Sequence, residues 1–118
     1  MITTKHRFHG YGSLRYIYRN GKTVRGPLCS LKYIVNKRRN TYRLSVVVNK
    51  KVNRSAVARN RIRRRLYEAF RLIEDSIIEP YDLVLTIFSD QINNLNSEEL
   101  NRLVKAQLFQ AGVISSKS

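Results

Sequence analysis

The stretch SAVARNRIRRRLYEAFRLIEDSI, residues 55–77, decides the fold because it predicts the longest helix of the chain. Its apolar residues recur at helical spacing and form one stripe along the helix. The stripe consists of Ala58, Ile62, Leu66, Ala69, Phe70, Ile73 and Ile77. Ser55 is a residue type that caps helix N-termini, and Pro80 ends the helix because it cannot continue one. A helix with a single apolar stripe must pack against another element, and the flanking sequence supplies it.

The sequence upstream of this helix predicts a short helix and two strands. Residues 13–19 place apolar side chains at positions i, i+3 and i+4, and Asn20 and Gly21 stop that helix. Residues 28–35 and 42–49 alternate in polarity and therefore predict two antiparallel strands, joined by a basic turn at 36–40.

The sequence downstream predicts a third strand and a last helix. Residues 81–88 form a buried, β-rich run, and residues 90–96 form a polar loop. The last helix begins with a cap at Ser97, carries acids in its first turn and ends at Gly112. The expected fold is α+β: a small single-sheet sandwich of order α-β-β-α-β-α, with or without an extra short strand.

Length and composition predict one domain, residues 1–118, with a disordered tail at 115–118. No apolar run is long enough to span a membrane, so we expect a soluble, cytoplasmic protein with no membrane partner. The single cysteine, Cys29, has no second thiol with which His6 and His9 could complete a zinc site.

The positive charge of the chain is concentrated in its first 67 residues. The net charge is +15, and all eight acids come after residue 67, whereas 19 of the 23 lysines and arginines come before residue 68. Such self-repulsion is tolerable when a polyanion neutralises it, and this favours a nucleic-acid partner. The alternative is a merely soluble basic protein.

The basic charge is densest on the long helix, where five of the seven residues 59–65 are arginine. Arginine makes bidentate contacts to phosphate that lysine cannot make. Lys50, Lys51 and Arg54 extend this patch upstream, while Arg59, Arg63 and Tyr67 form one flank of the helix. A solvated charged face is the alternative, but such faces usually carry compensating glutamates, and no acid precedes Glu68.

The tyrosines offer rings for stacking on single-stranded bases. We expect Tyr18 and Tyr67 to contact RNA, and Tyr33 and Tyr42 to belong to the core. No Ser-His-Asp arrangement, glycine-rich phosphate loop or paired-carboxylate motif is present, so no self-contained active site is visible.

Two segments, Lys50-Lys51 and ARNRIRRRLYEAFR at residues 58–71, resemble the signature of the bacterial ribonuclease P protein subunit. Weaker likeness runs through residues 7–8, 14–18, Gly21 and 81–88. The resemblance implies an α+β fold with a left-handed βαβ crossover. It also implies two partners, a catalytic RNA subunit and precursor tRNA, without an obligate protein partner. The ribonucleoprotein would remove the 5′ leader with Mg²⁺ held by the RNA, so the protein alone would bind no cofactor.

The resemblance also implies two sets of binding residues. For the RNA subunit they are Asn60, Arg61, Arg64 and Arg65, to which the patch argument adds Lys50, Lys51 and Arg54. For the single-stranded leader they are Leu14, Tyr18, Ser30, Lys32, Ser45, Val47 and Asn49, with Arg59, Arg63 and Tyr67 as the helix wall of a cleft between the long helix and the sheet. Leu14, Lys32 and Tyr67 depart from the usual family residues, and Lys32 and Tyr67 would compensate one another across the cleft.

Two other functions compete with this interpretation. A ribosomal or other structural RNA-binding protein explains the charge equally well, but it does not require two separate RNA surfaces. A free-standing nuclease needs clustered acids or histidines for metal or general-base chemistry, and every acid lies in the less basic half of the chain.

Overall fold

The structure is a computed structural model that describes residues 11–77 and 79–114. Its elements are α1 (Tyr11–Asn20), β1 (Lys22–Arg25), β2 (Cys29–Val35), β3 (Arg43–Val48), α2 (Ala56–Ile73), β4 (Tyr81–Ile87) and α3 (Ser97–Ala111), with 3-10 turns at Glu74–Ser76 and Asp90–Asn94. This confirms the α+β class, and β1 is the extra short strand. His6, His9, residues 7–8 and the tail at 115–118 lie outside the described residues. No helix within residues 11–77 and 79–114 is long and apolar enough to cross a membrane.

The four strands form one sheet in the order β1-β2-β4-β3. β4 pairs antiparallel with β2 and parallel with β3. The two upstream strands therefore run antiparallel, as predicted, but β4 lies between them. The unit β3-α2-β4 is a parallel βαβ unit. The left-handedness of its crossover stays a prediction from the resemblance. β4 takes the central place because its residues 83–85 are buried on both faces of the sheet.

The two faces of the sheet differ in how they are covered. Cys29, Leu31, Leu44, Val46, Leu83 and Leu85 lie on one face, the core face, in one apolar cluster with the buried residues of α2 and α3. The opposite face, the open face, carries Ser30, Lys32, Ser45, Val47, Val84 and Thr86. On the open face α1 packs Ile17 against Val84, with Leu14, Ile34 and Val47 around them. The polar alternation of the strands therefore leaves part of the open face available to a ligand.

The helix ends follow from their capping residues. Ser55 caps α2, as predicted, and its hydroxyl accepts a hydrogen bond from the Ala58 N–H at 3.2 Å. The end of α2 was predicted at Pro80, and this is wrong: the helix ends at Ile73 and a 3-10 turn follows. The N-cap of α3 is Asn96 rather than Ser97, because Asn96 forms a reciprocal capping box with Glu99. Gly112 ends α3 in the left-handed region, with φ of 80°.

Candidate nucleic-acid interface

The end of β3 and the outward side of α2 form a strongly basic surface. We define this basic surface by six exposed side chains, Lys50, Lys51, Arg54, Asn60, Arg61 and Arg64. Ser55 starts the helix directly after the β3 connection, and this brings the lysine pair and the arginines together. The basic surface ends where Glu68, the first acid of the sequence, accepts a hydrogen bond from the Arg71 Nε at 2.9 Å. Six of the seven residues predicted to bind the RNA subunit thus share one exposed surface.

Arg65 is the seventh, and it has a structural role. Its guanidinium donates to the backbone oxygens of Ile92 and Asn93, at 3.3 and 3.2 Å, and to that of Leu95. Burial, together with the charge of Arg61, lowers the pKa of Arg65 from its ordinary value. Its donors point at a loop of its own chain, so the structure does not support the prediction that Arg65 lies on the RNA-facing surface.

Arg59 and Arg63 stiffen the connection between β3 and α2. Arg59 Nη1 donates to the backbone oxygens of Asn53 and Arg54, at 2.9 and 3.0 Å. Arg63 donates to the backbone oxygen of Val48 at 3.1 Å and to Asn60 Oδ1 at 2.8 Å. An arginine has five N–H donors, so both guanidiniums keep donors for a further acceptor. They carry positive charge at the end of β3.

The open face brings together six of the predicted leader residues. Leu14 and Tyr18 come from α1, Ser30 and Lys32 from β2, and Ser45 and Val47 from β3. We call the space between α1 and the uncovered part of the open face the groove. The Lys32 Nζ donates to the Tyr18 backbone oxygen at 3.3 Å and so joins the two sides of the groove. The Tyr18 ring is half exposed, whereas Ser45 is only 4% exposed and belongs to the floor of the groove.

Tyr67 contradicts the geometry predicted for the leader site. It is 9% exposed, it lies in the apolar cluster of the core face, and its hydroxyl accepts a hydrogen bond from the Val46 N–H at 3.3 Å. Tyr67 and Lys32 therefore lie on opposite faces of the sheet and cannot compensate one another across one cleft. The groove is bordered by α1 rather than by α2, and Asn49, Arg59 and Arg63 lie beyond the end of β3.

A buried polar cluster lies on the open face near the start of β3, and sequence reasoning missed it. Asp82 accepts hydrogen bonds from Arg43 Nε and Nη2, at 2.8 and 2.9 Å, and from Asn36 Nδ2 at 3.0 Å. The Asp82 carboxylate is therefore satisfied by hydrogen bonds from both side chains. The bidentate ion pair between Arg43 and Asp82 joins β3 to β4. The sequence signal was an isolated acid within an apolar run, at Asp82.

The described residues contain no cluster of three or more His, Cys, Asp or Glu side chains that could hold a metal ion. Cys29 is buried in the core, where its Sγ–H donates to Gln107 Oε1 at 2.8 Å. Burial raises the pKa of the Cys29 thiol to about 12, so the thiol stays protonated at neutral pH. The buried Cys29 thiol is therefore not a reactive nucleophile.

Comparison with known proteins identifies the family. A family model described as Ribonuclease P matches residues 2–112. The chain belongs to this family. The ribonuclease P protein component of Clostridium kluyveri is 37% identical over 110 residues, which cover 92% of this chain and 96% of that protein. The ribonuclease P protein component of Pseudanabaena sp. is 29% identical, with 97% of each chain covered.

Solved structures of ribonuclease P proteins share the fold. The Staphylococcus aureus protein superposes with a TM-score of 0.83 and 23% identity, covering 93% of this chain and 98% of that chain. The Thermotoga maritima protein gives a TM-score of 0.72 at 21% identity, covering 89% and 93%. This chain is thus a protein component of the ribonuclease P endoribonuclease, a ribonucleoprotein of tRNA processing, and its family implies an RNA subunit as partner.

Proposed function

We propose that this chain is a single RNA-binding domain with two RNA sites, the basic surface for the catalytic RNA subunit and the groove for the single-stranded 5′ leader of precursor tRNA. One observation carries the proposal: the two sites differ in chemistry and lie on different sides of the sheet. α2 covers the core face and leaves Arg61 and Arg64 exposed on its outer side, whereas the groove lies on the open face. Both RNA segments can therefore be bound at the same time.

The basic surface suits a folded RNA with closely spaced phosphates. It presents Lys50, Lys51 and Arg54 before α2 and Arg61 and Arg64 on the helix, and no acid precedes Glu68 in the sequence. Phosphate contacts of this kind position an RNA and depend strongly on salt, and they need no particular base sequence. This is what a protein needs when it recognises the shape of a large RNA.

The groove suits an unpaired strand. Tyr18 offers a half-exposed ring beside the Lys32 ammonium, and Ser30 adds a hydroxyl on the same face. Aromatic rings stack on any base, and a neighbouring cation neutralises the backbone. A groove of this chemistry binds a leader without selecting its sequence.

The chemistry of cleavage belongs, in this proposal, to the RNA subunit. Mg²⁺ held by that RNA would supply the activation of water, and the residues of this chain would bind and orient the leader. We further propose that no obligate protein partner is needed. We also place the chain in the cytoplasm, a reducing compartment in which a free cysteine such as Cys29 is ordinary.

The test is cleavage of precursor tRNA at low Mg²⁺ by the RNA subunit, with and without this chain. We expect the chain to stimulate cleavage. At low Mg²⁺ the RNA subunit alone binds precursor tRNA weakly, and leader binding by the chain would raise the affinity for the substrate. Rigorously RNA-free protein should cleave nothing. Cleavage by the protein alone, or no stimulation of the RNA, would contradict the proposal.

A further inference from the structure

One row of side chains crosses all four strands on the open face. Arg25 is the register partner of Ser30, Ser30 of Thr86, and Thr86 of Val47. We call this set the transverse row. Neighbouring strands lie about 4.8 Å apart, so the transverse row spans roughly 14 Å. Its side chains are short except for Arg25, and it contains no acid. At the β3 edge Val47 packs beside α1, and from there the row leads to the exposed Arg25 at the β1 edge.

An aromatic ring stands at the end of this path. Phe88 follows β4, and its N–H donates to the Leu28 backbone oxygen at 3.1 Å, which continues the pairing of β4 with β2 by one residue. Because side chains alternate along a strand, Phe88 lies on the same face as Thr86. The Phe88 ring is 40% exposed, and the Arg25 guanidinium carbon lies 5.1 Å from its centroid. A cation–π contact therefore holds both groups on the open face.

We infer that Arg25 and Phe88 form a further stacking site for a nucleobase of the leader, beyond the residues assigned to the groove. The inference rests on the proposed function, because it extends the same leader site along the transverse row. A base can stack on the exposed Phe88 ring or on the planar guanidinium of Arg25. The guanidinium also has N–H donors for the adjoining phosphate. One pair thus supplies both contacts that single-stranded RNA requires.

The surroundings of Phe88 favour RNA over a protein partner. A protein-docking surface would present a contiguous apolar patch. Phe88 instead carries the Arg25 cation over its ring, and Thr86, the preceding residue on its face, and the Thr86 partner Ser30 both bear hydroxyls. A ring beside a cation and hydroxyl groups is typical of single-strand recognition.

The position of the pair predicts a dependence on leader length. β1 and β3 are opposite edges of the sheet, and α2 packs near β3. Arg25 on β1 therefore lies far from the basic surface. A leader that enters the open face from the β3 side reaches the Arg25–Phe88 pair last, so only a leader of several nucleotides uses it.

The experiment measures precursor-tRNA affinity of the holoenzyme, reconstituted from the full chain and its RNA subunit, with leaders of one nucleotide and of several. Phe88→Leu removes the ring and keeps an apolar side chain, whereas Phe88→Tyr keeps the ring. Phe109→Leu is the matched control, because Phe109 is 51% exposed on α3, away from the open face. We expect Phe88→Leu to weaken binding of the long-leader substrate about fivefold or more, without effect on the short one. Phe88→Tyr and Phe109→Leu should both behave like the unchanged protein.

Three results would overturn the inference: no loss in Phe88→Leu, an equal loss for both leader lengths, or the same loss in Phe88→Tyr as in Phe88→Leu. Tyr18→Ala in parallel separates this inference from the proposed function. If Tyr18→Ala loses the benefit of a long leader and Phe88→Leu keeps it, the inference fails and the proposed function stands. If the unchanged holoenzyme gains no affinity from a longer leader, both fail.

Discussion

Tyr18 is the residue on which the leader site can be tested most directly. Its ring is half exposed, and its main-chain oxygen accepts a hydrogen bond from the Lys32 ammonium. Tyr18→Ala should therefore cost about 1–3 kcal/mol of base stacking, and only with substrates whose leader is long enough to enter the groove. Substrate affinity measured with leaders of one and several nucleotides checks this. An equal loss with both would mean that Tyr18 serves the fold and not the leader.

Arg64 provides the opposite case, an exposed cation on the basic surface. Arg64→Ala should weaken binding of the RNA subunit whatever the leader length. The slope of log affinity against log salt should flatten by about one phosphate contact. Tyr18→Ala removes no charge and should leave that slope unchanged. If the slope of Arg64→Ala matches that of the unchanged protein, Arg64 makes no phosphate contact.

Cys29 allows a test of the core at the same scale. Burial raises the pKa of its thiol to about 12, and thiolate is the reactive form. Native protein at pH 8 should therefore react with a thiol reagent far more slowly than denatured protein. Because the folded pKa lies above the unfolded one, this thiol should also make the protein less stable as the pH rises from about 9 toward 12. The absorbance of the chromophore that a chromogenic thiol reagent releases follows the reaction. Rapid labelling of the native protein would show that Cys29 is accessible.

At the level of elements, Arg65 connects α2 to the loop before α3. Arg65→Ala should lower the free energy of unfolding by about 1–3 kcal/mol, because loop carbonyl groups lose their donor. Arg64→Ala, one position earlier and exposed, is the matched control and should leave stability within about 0.5 kcal/mol. Urea unfolding of the two variants measures the difference. Equal stability of the two would mean that the loop holds without Arg65.

The elements could be predicted from the sequence, and several details of the site could not. Alternation and helical periodicity are local, so they indicated β2, β3, β4 and the helices, and the residue type of Ser55 indicated the cap, whereas β1 was only an optional extra strand. The role of Arg65 depends on carbonyl groups about 30 residues further along the chain, and the sequence has no signal for such a partner. The helical angle placed Tyr67 on a flank of α2. In the structure its hydroxyl accepts a hydrogen bond from the Val46 N–H of β3, and its ring lies in the apolar cluster of the core face.

At the scale of the whole molecule, the charge distribution predicted the kind of partner, and the topology remained out of reach. The concentration of basic residues before residue 68 is read directly from the sequence and required no structure. The place of β4 between β2 and β3 depends on pairing between distant segments, and alternation within each strand does not reveal its neighbour. The family resemblance assigned the leader residues to one cleft, whereas the sheet separates Tyr67 from the groove.

The central position of β4 has a consequence for biosynthesis. Ribosomes make proteins from the N-terminus, so the 19 basic side chains of residues 1–67 are synthesised before β4, which begins at Tyr81. Until β4 emerges, β3 has no strand to pair with, and the βαβ unit cannot close. A nascent chain of this length is a polycation without a finished sheet, released beside the RNA of the ribosome itself. Folding to the native state must then compete with premature capture by whichever RNA is nearest.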